Sequence, residues 1–121
     1  MKTILVVDDD DGIRTMISTV FKREGYGILE TDNGADAVDI VNEQHPDLII
    51  CDVMMENMNG FMVREMLKDN PETAKIPMIM MTGMATSAGA WEADKEVEYL
   101  KKPFLIPDLR LLIEKRIGTP A

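Results

Sequence analysis

The chain has 121 residues, room for one domain with a sizeable core, and 45% hydrophobic against 29% charged residues is ordinary globular composition. A net charge of −9 and a pI near 4.5 repel phosphate backbones and anionic lipids, which argues against direct nucleic-acid or membrane binding and leaves a basic protein surface open as a partner. One cysteine, Cys51, excludes an internal disulfide and a Cys-rich zinc site, and one histidine, His45, removes most His-based metal sites and any His-pair relay.

Ile4-Leu5-Val6-Val7 is the first of three short apolar runs. It is too short for a signal peptide and runs straight into acids, so a cytoplasmic protein is expected. No apolar run approaches the roughly 20 residues that span a bilayer. Next, Ile13, Met16, Ile17, Val20 and Phe21 repeat with helical spacing, and Gly25 is placed to end that helix. Gly27–Thr31 is a weaker, mixed strand. Asn33-Gly34 opens a second helix carrying Ala37, Val38 and Val41, closed by His45-Pro46. Leu48-Ile49-Ile50-Cys51 is the second strong run. A third helix holds Val63, Met66 and Leu67 and ends by Pro71.

Met78-Ile79-Met80-Met81 is the third strong run. The segment from Ala85 to Lys95 is the poorest predicted helix, with Gly89 and little apolar surface beyond Ala88 and Trp91, and is expected to be the most mobile element. Val97–Leu100 is a second weak strand. Ile106, Leu109, Ile113 and Ile117 mark the last helix, with Pro107 suited to its first turn. Residues 118–121 read as a tail or the start of a linker. Continuous apolar runs bounded by polar residues predict strands covered on both faces. Alternation with helices predicts an α/β fold, a (βα)5 doubly wound parallel sheet. Strong runs in the centre and weak runs at the edges match the flavodoxin-like order 2-1-3-4-5, as one domain over 1–121.

In such a sheet the site lies at the carboxyl ends of the strands. There the first strand ends in Asp8-Asp9, the third in Asp52 and the fourth in Thr82-Gly83, while Lys102-Pro103-Phe104 follows the fifth. Two carboxylates ~5 Å apart repel by roughly 3 kcal/mol at an effective dielectric near 20. A divalent cation with hard oxygen ligands, Mg²⁺ above all, removes that cost, and Lys102 adds positive charge. A carboxylate so placed can accept a phosphoryl group, with the metal, Lys102 and the Thr82 hydroxyl each taking an oxygen.

The pattern Val6-Val7-Asp8-Asp9, Asp52-Val53-Met54-Met55 with Gly60 eight residues after the aspartate, Thr82-Gly83, and Lys102-Pro103-Phe104 resembles the response-regulator receiver family of two-component signalling, in order and over nearly the whole chain. The resemblance implies that Asp52 is the phosphoacceptor, that Asp9 binds Mg²⁺ directly and Asp8 mostly through water, and that Met54 offers its backbone carbonyl. It implies that Thr82 contacts the phosphoryl group, that Lys102 pairs with it, and that Lys102-Pro103 is cis. Tyr99 matches the aromatic switch that follows Thr82 inward. The donor implied is a histidine kinase or histidine phosphotransfer protein. Such a domain catalyses only its own phosphorylation and dephosphorylation. The face of the fourth predicted helix, fifth strand and last helix then changes its affinity for a downstream protein or for a second copy in a homodimer. Two places depart from the family pattern: Glu56 stands where a proline is common, and Lys95-Glu96-Val97 replaces the usual Gly-Ala-Asp. Met54 and Met84 fill the positions that tune dephosphorylation in the family.

Three other functions fit part of this pattern. A haloacid-dehalogenase-like phosphatase also uses an aspartate nucleophile, Mg²⁺, a hydroxyl and a lysine, but wants a second acid where Met54 stands. A flavodoxin-like mononucleotide binder wants a Ser/Thr/Gly-rich loop where this chain has four acids, Asp8 to Asp11. A receiver fold can also serve as an unphosphorylated interaction module. Several residues have plainer readings. Asp10 and Asp11 read as helix-capping acids, Cys51 as a small core residue and His45 as an inert loop residue. Nine of eleven methionines fall between Met54 and Met84, read as adaptable core filler, with a partner-binding surface as the alternative. Trp91 reads as packed on the fourth predicted helix or as a partner contact.

Overall fold

The three apolar runs and the two mixed strands form one parallel sheet, with helices packed on both of its faces. The structure, a computed structural model, describes residues 1–83 and 94–120. Its elements are β1 (Thr3–Val7), α1 (Asp11–Glu24), β2 (Gly27–Thr31), α2 (Gly34–Gln44), β3 (Leu48–Asp52), α3 (Gly60–Lys68), β4 (Met78–Thr82), β5 (Val97–Lys101) and α4 (Ile106–Ile117). The strand order is β2-β1-β3-β4-β5. The strands expected at the centre, β1, β3 and β4, are there, and the two mixed ones, β2 and β5, are the edges.

Side chains alternate across the sheet with the period of two that strands impose. Leu5, Val7, Ile49, Cys51, Met78 and Met80 pack with Ala37, Val38 and Val41 of α2 and Val63 and Leu67 of α3. Ile4, Val6, Leu48, Ile50, Ile79 and Met81 pack on the opposite face with Ile17 and Phe21 of α1 and Leu109 and Ile113 of α4. Each such fully buried large side chain contributes about 1.5–3 kcal/mol.

Local signals set the ends of the helices. Asp10 caps α1, accepting from the N–H groups of Gly12 and Ile13 at 2.9 and 3.2 Å. Gly25 ends it with φ 112°, a conformation that costs glycine nothing. Asn33 and Asn59 cap α2 and α3. His45 closes α2 with φ 47°.

Two expectations are corrected. Met16 and Met66, both placed on apolar stripes, are 42% and 48% exposed. In α1 the buried stripe is narrower than the spacing suggested and takes in Ser18 rather than Met16. The predicted helix 85–95 falls largely outside the described residues, as do Met84 and Trp91; at its described end Asp94 is not helical and Lys95 opens a turn. Among the described residues no helix is long and apolar enough to cross a membrane.

Candidate phosphoacceptor site

The site follows from strand register. Val7 of β1 pairs with Cys51 of β3. The next residue on each strand, Asp8 and Asp52, therefore lies side by side at the carboxyl edge, at the interstrand spacing of roughly 4.8 Å. The connections diverge there: β1 leads away to the β2 edge and β3 toward β4, which opens a crevice at the switch point.

Asp8 is fully buried and Asp52 is 7% exposed. Asp9 follows at the mouth and is exposed. One carboxylate oxygen from each of the three lies within 4.8 Å of the others. Lys102 answers this crowding. Its Nζ is 3.2 Å from Asp8 Oδ2 and 3.2 Å from Asp52 Oδ2. The second oxygens are also held, since Asp8 Oδ1 accepts the Asp10 N–H at 2.9 Å and Asp52 Oδ1 accepts the Met54 N–H at 3.2 Å.

Protonation follows from these contacts. Burial pushes the Asp8 carboxyl above its ordinary range; the Asp10 N–H and Lys102 oppose this, and the charge of Asp52 adds to it. Burial would depress the Lys102 ammonium, yet the charges of Asp8 and Asp52 outweigh it and hold the lysine above its ordinary value. Lys102 is thus firmly charged and shared by two acids. One cation against three carboxylates leaves the cluster short of positive charge, and three hard oxygen donors at this spacing fit a small divalent ion.

Lys102 is placed by the edge of the sheet. Thr82 pairs with Lys101, and the Lys102 N–H donates to the Thr82 carbonyl at 2.7 Å. The Lys102–Pro103 peptide is cis. Thr82 is 1% exposed and ends β4, one residue beyond Met81, the register partner of Asp52. Tyr99 lies three residues before Lys102, opposite Met80, and packs partly buried against the cluster beneath α2 and α3. Burial raises its phenol pKa.

The loop after Asp52 is tied back to the strand. The Gly60 N–H donates to the Val53 carbonyl at 3.1 Å. A Cβ at Gly60 would meet the Asp52 carbonyl oxygen at 3.0 Å and Val53 Cα at 3.2 Å, so the glycine is needed for close approach. In the loop itself, where Glu56 replaces proline, Asn57 takes the left-handed conformation with φ 68°, which asparagine tolerates. Sequence reasoning missed Arg14. Its guanidinium donates to the Asp8 carbonyl at 2.8 Å and pairs with Asp11 at 2.6 Å, bracing the acidic loop. The i, i+3 spacing of Asp11 and Arg14 was the available signal.

The family model for the response regulator receiver domain matches residues 4–114. The chain belongs to the response regulator receiver domain family.

Curated relatives of this receiver domain include the regulatory protein AtoC of Escherichia coli, 33% identical over 116 residues. That match takes in 94% of this chain and 25% of AtoC, so the chain spans about a quarter of that relative's length. The polar-differentiation response regulator DivK of Brucella ovis is 29% identical over 124 aligned positions, 97% of each chain. Among solved structures, the chemotaxis protein CheY4 of Vibrio cholerae superposes with a TM-score of 0.88 at 26% identity, covering 97% of this chain and 99% of that one. Receiver domains are signalling modules that bind Mg²⁺ at an acidic pocket, and Asp8, Asp9 and Asp52 form an acidic cluster in this one.

Proposed function

We propose that this receiver domain is a phosphorylation-operated switch in which Asp52 accepts a phosphoryl group from a phosphohistidine on a histidine kinase or histidine phosphotransfer protein. The observation that carries the reading is the shared lysine: Nζ of Lys102 stands 3.2 Å from both Asp8 and Asp52, within a carboxylate cluster that is otherwise short of positive charge.

An Asp52 carboxylate oxygen attacks phosphorus, the P–N bond to the donor imidazole breaks, and the imidazole takes up a proton as it leaves. Lys102 turns from Asp52 toward the new phosphoryl oxygens, and the Thr82 hydroxyl donates to another. Asp8, Asp9, Asp52 and the Met54 backbone carbonyl would hold Mg²⁺. When bound, the ion supplies charge neutralisation for the acids and the phosphoryl oxygens. A shallow groove of about 380 Å³ formed by Ile13, Met16, Lys102, Pro103 and Phe104 opens beside the acceptor and gives the donor protein an apolar footing. Movement of Thr82 and Lys102 toward the phosphoryl group draws Tyr99 inward and alters the outer face of β5 and α4, where a downstream protein or a second copy docks.

The experiment is intact mass after brief incubation with acetyl phosphate and Mg²⁺. Wild type should gain one phosphoryl group; Asp52→Asn, and wild type with chelator, should gain none. An equal gain in Asp52→Asn overturns the acceptor assignment. No gain in wild type despite bound Mg²⁺ leaves an interaction module as the better reading.

A further inference from the structure

The methionines of the loop after Asp52 and of α3 behave differently from those of β4. Met78, Met80 and Met81 are core residues, 0–1% exposed. Met62 and Met66 are 46% and 48% exposed, and Met54 is 61% exposed. Met62 and Met66 stand one turn apart on α3, on the same outward stripe as Glu65 and Asp69. Large apolar side chains on an outward stripe gain nothing for the core.

Both α3 and its neighbour α2 expose acids. α2 and α3 cover the same face of the sheet, Met58 lies against Gly34, and Asn70 donates to Asn42 at 3.4 Å across the two helices. α2 exposes Asp36, Asp39 and Glu43 and contains no lysine or arginine. The loop and α3 add Glu56, Glu65 and Asp69, all exposed. Lys68 is the exposed cation of the two helices, and it is already held by Glu65 at 3.5 Å and Asp94 at 3.7 Å. Methionine on an acid-rimmed helix face suits an amphipathic helix whose polar side is basic: the thioether chains adapt their shape, and the carboxylates steer and orient the ligand. The same acids repel a second copy of the face and repel nucleic acid or an anionic bilayer.

We propose that the α2–α3 face is a docking surface for a basic amphipathic helix of a partner protein, with its apolar side on Met62 and Met66 and its lysines or arginines on the surrounding carboxylates. This surface does not depend on the chemistry of Asp52.

The test uses the whole chain labelled with ¹³C at the methionine methyls, titrated with a synthetic Leu/Lys amphipathic helical peptide. A Leu/Glu peptide and a Leu/Lys peptide of scrambled order serve as controls. The expected result is saturable binding of the first peptide alone, with methyl shifts centred on Met62 and Met66 while Met78, Met80 and Met81 stay put. Met62→Gln/Met66→Gln keeps every charge, and Glu65→Lys/Asp69→Lys keeps both methionines. Each should weaken binding by roughly tenfold or more, as loss of a pair of anchoring contacts does. All four residues are exposed, and circular dichroism checks that the variants fold. The proposal is overturned by absence of binding, by shifts centred elsewhere, or by binding that the methionine variant leaves unchanged. It is also overturned if the free protein dimerises and the methionine variant abolishes the dimer, since the occupant is then a second copy.

Discussion

The three acids of the rim are not equivalent. Asp8 and Asp52 share Lys102 and each accept a backbone N–H, whereas Asp9 adds a third charge at the exposed mouth. Without a divalent ion Asp9 contributes mainly repulsion; under the proposed function it would become a ligand when the ion binds. In chelator, Asp9→Asn should therefore melt at or above the wild-type temperature. Excess Mg²⁺ should raise the wild-type melting temperature, as any ligand of the native state does, and leave the variant unmoved. A wild-type melting curve indifferent to Mg²⁺ would count against the metal site. Gly60 is the second residue-scale constraint. Gly60→Ala presses a methyl group against the Asp52 carbonyl oxygen and Val53 Cα, at 3.0 and 3.2 Å. The better helix propensity of alanine offsets only part of that strain, so urea denaturation should show a loss of about 1 kcal/mol or more. Equal or higher stability would mean the loop yields freely. Both the acids and Gly60 were legible as positions, since strand ends and a fixed offset locate them. The double pairing of Lys102 was not, because it depends on how far the side chain beyond edge strand β5 reaches along the rim toward Asp8 and Asp52.

At the scale of elements, one tie unseen in the sequence joins α3 to the approach to β5. Arg64, 5% exposed, donates to both oxygens of Asp94 at 2.6 and 3.1 Å and to the Ala74 carbonyl at 2.9 Å. The partners are 30 residues apart, so no local spacing announces them. Arg64→Ala strands a mostly buried carboxylate and should cost about 2–3 kcal/mol at neutral pH, a buried-pair loss discounted for the partial exposure of Asp94. Lysine should rescue it poorly, lacking the planar fork. A loss near zero by urea denaturation would mean that water replaces the guanidinium. Hydrogen bonding from Arg64 holds the Asp94 carboxyl below its ordinary 3.8, against the opposing effect of burial. The folded state thus binds this proton less readily than the unfolded state. The contribution of the pair is fully present above pH 3.8 and is lost as pH falls through the lower folded value. The stability gap between wild type and Asp94→Asn should accordingly close in acid. A gap independent of pH across that window would refute the linkage. The exposure of Met16 and Met66 belongs to this scale too. Helical spacing places a residue on a stripe, but the width of the covered stripe is set by which neighbour packs there.

For the whole molecule, charge is the dominant global term. A net −9 on 121 residues sets up self-repulsion that the ion pairs between elements only partly relieve, among them Arg110 with Glu24 and Arg116 with Glu96 and Glu98. In chelator, added potassium chloride should raise the denaturation midpoint, because screening weakens the many long-range repulsions more than the few close pairs. A fall with salt would mean that the close pairs dominate. The sequence by itself determined the strands, the sheet order, the acidic rim and the family. Those follow from short-range facts: apolar runs of strand length, helical stripes, and candidate site residues at strand ends, which a doubly wound sheet must bring to one edge. Tertiary structure alone decided which methionines are core and which face solvent, and which acid lies buried beside which cation. It also decided how Arg64 finds Asp94 and how Arg14 braces the acidic loop. Each of these depends on contacts between residues far apart in the chain, whose distances and desolvation are fixed only when the elements pack.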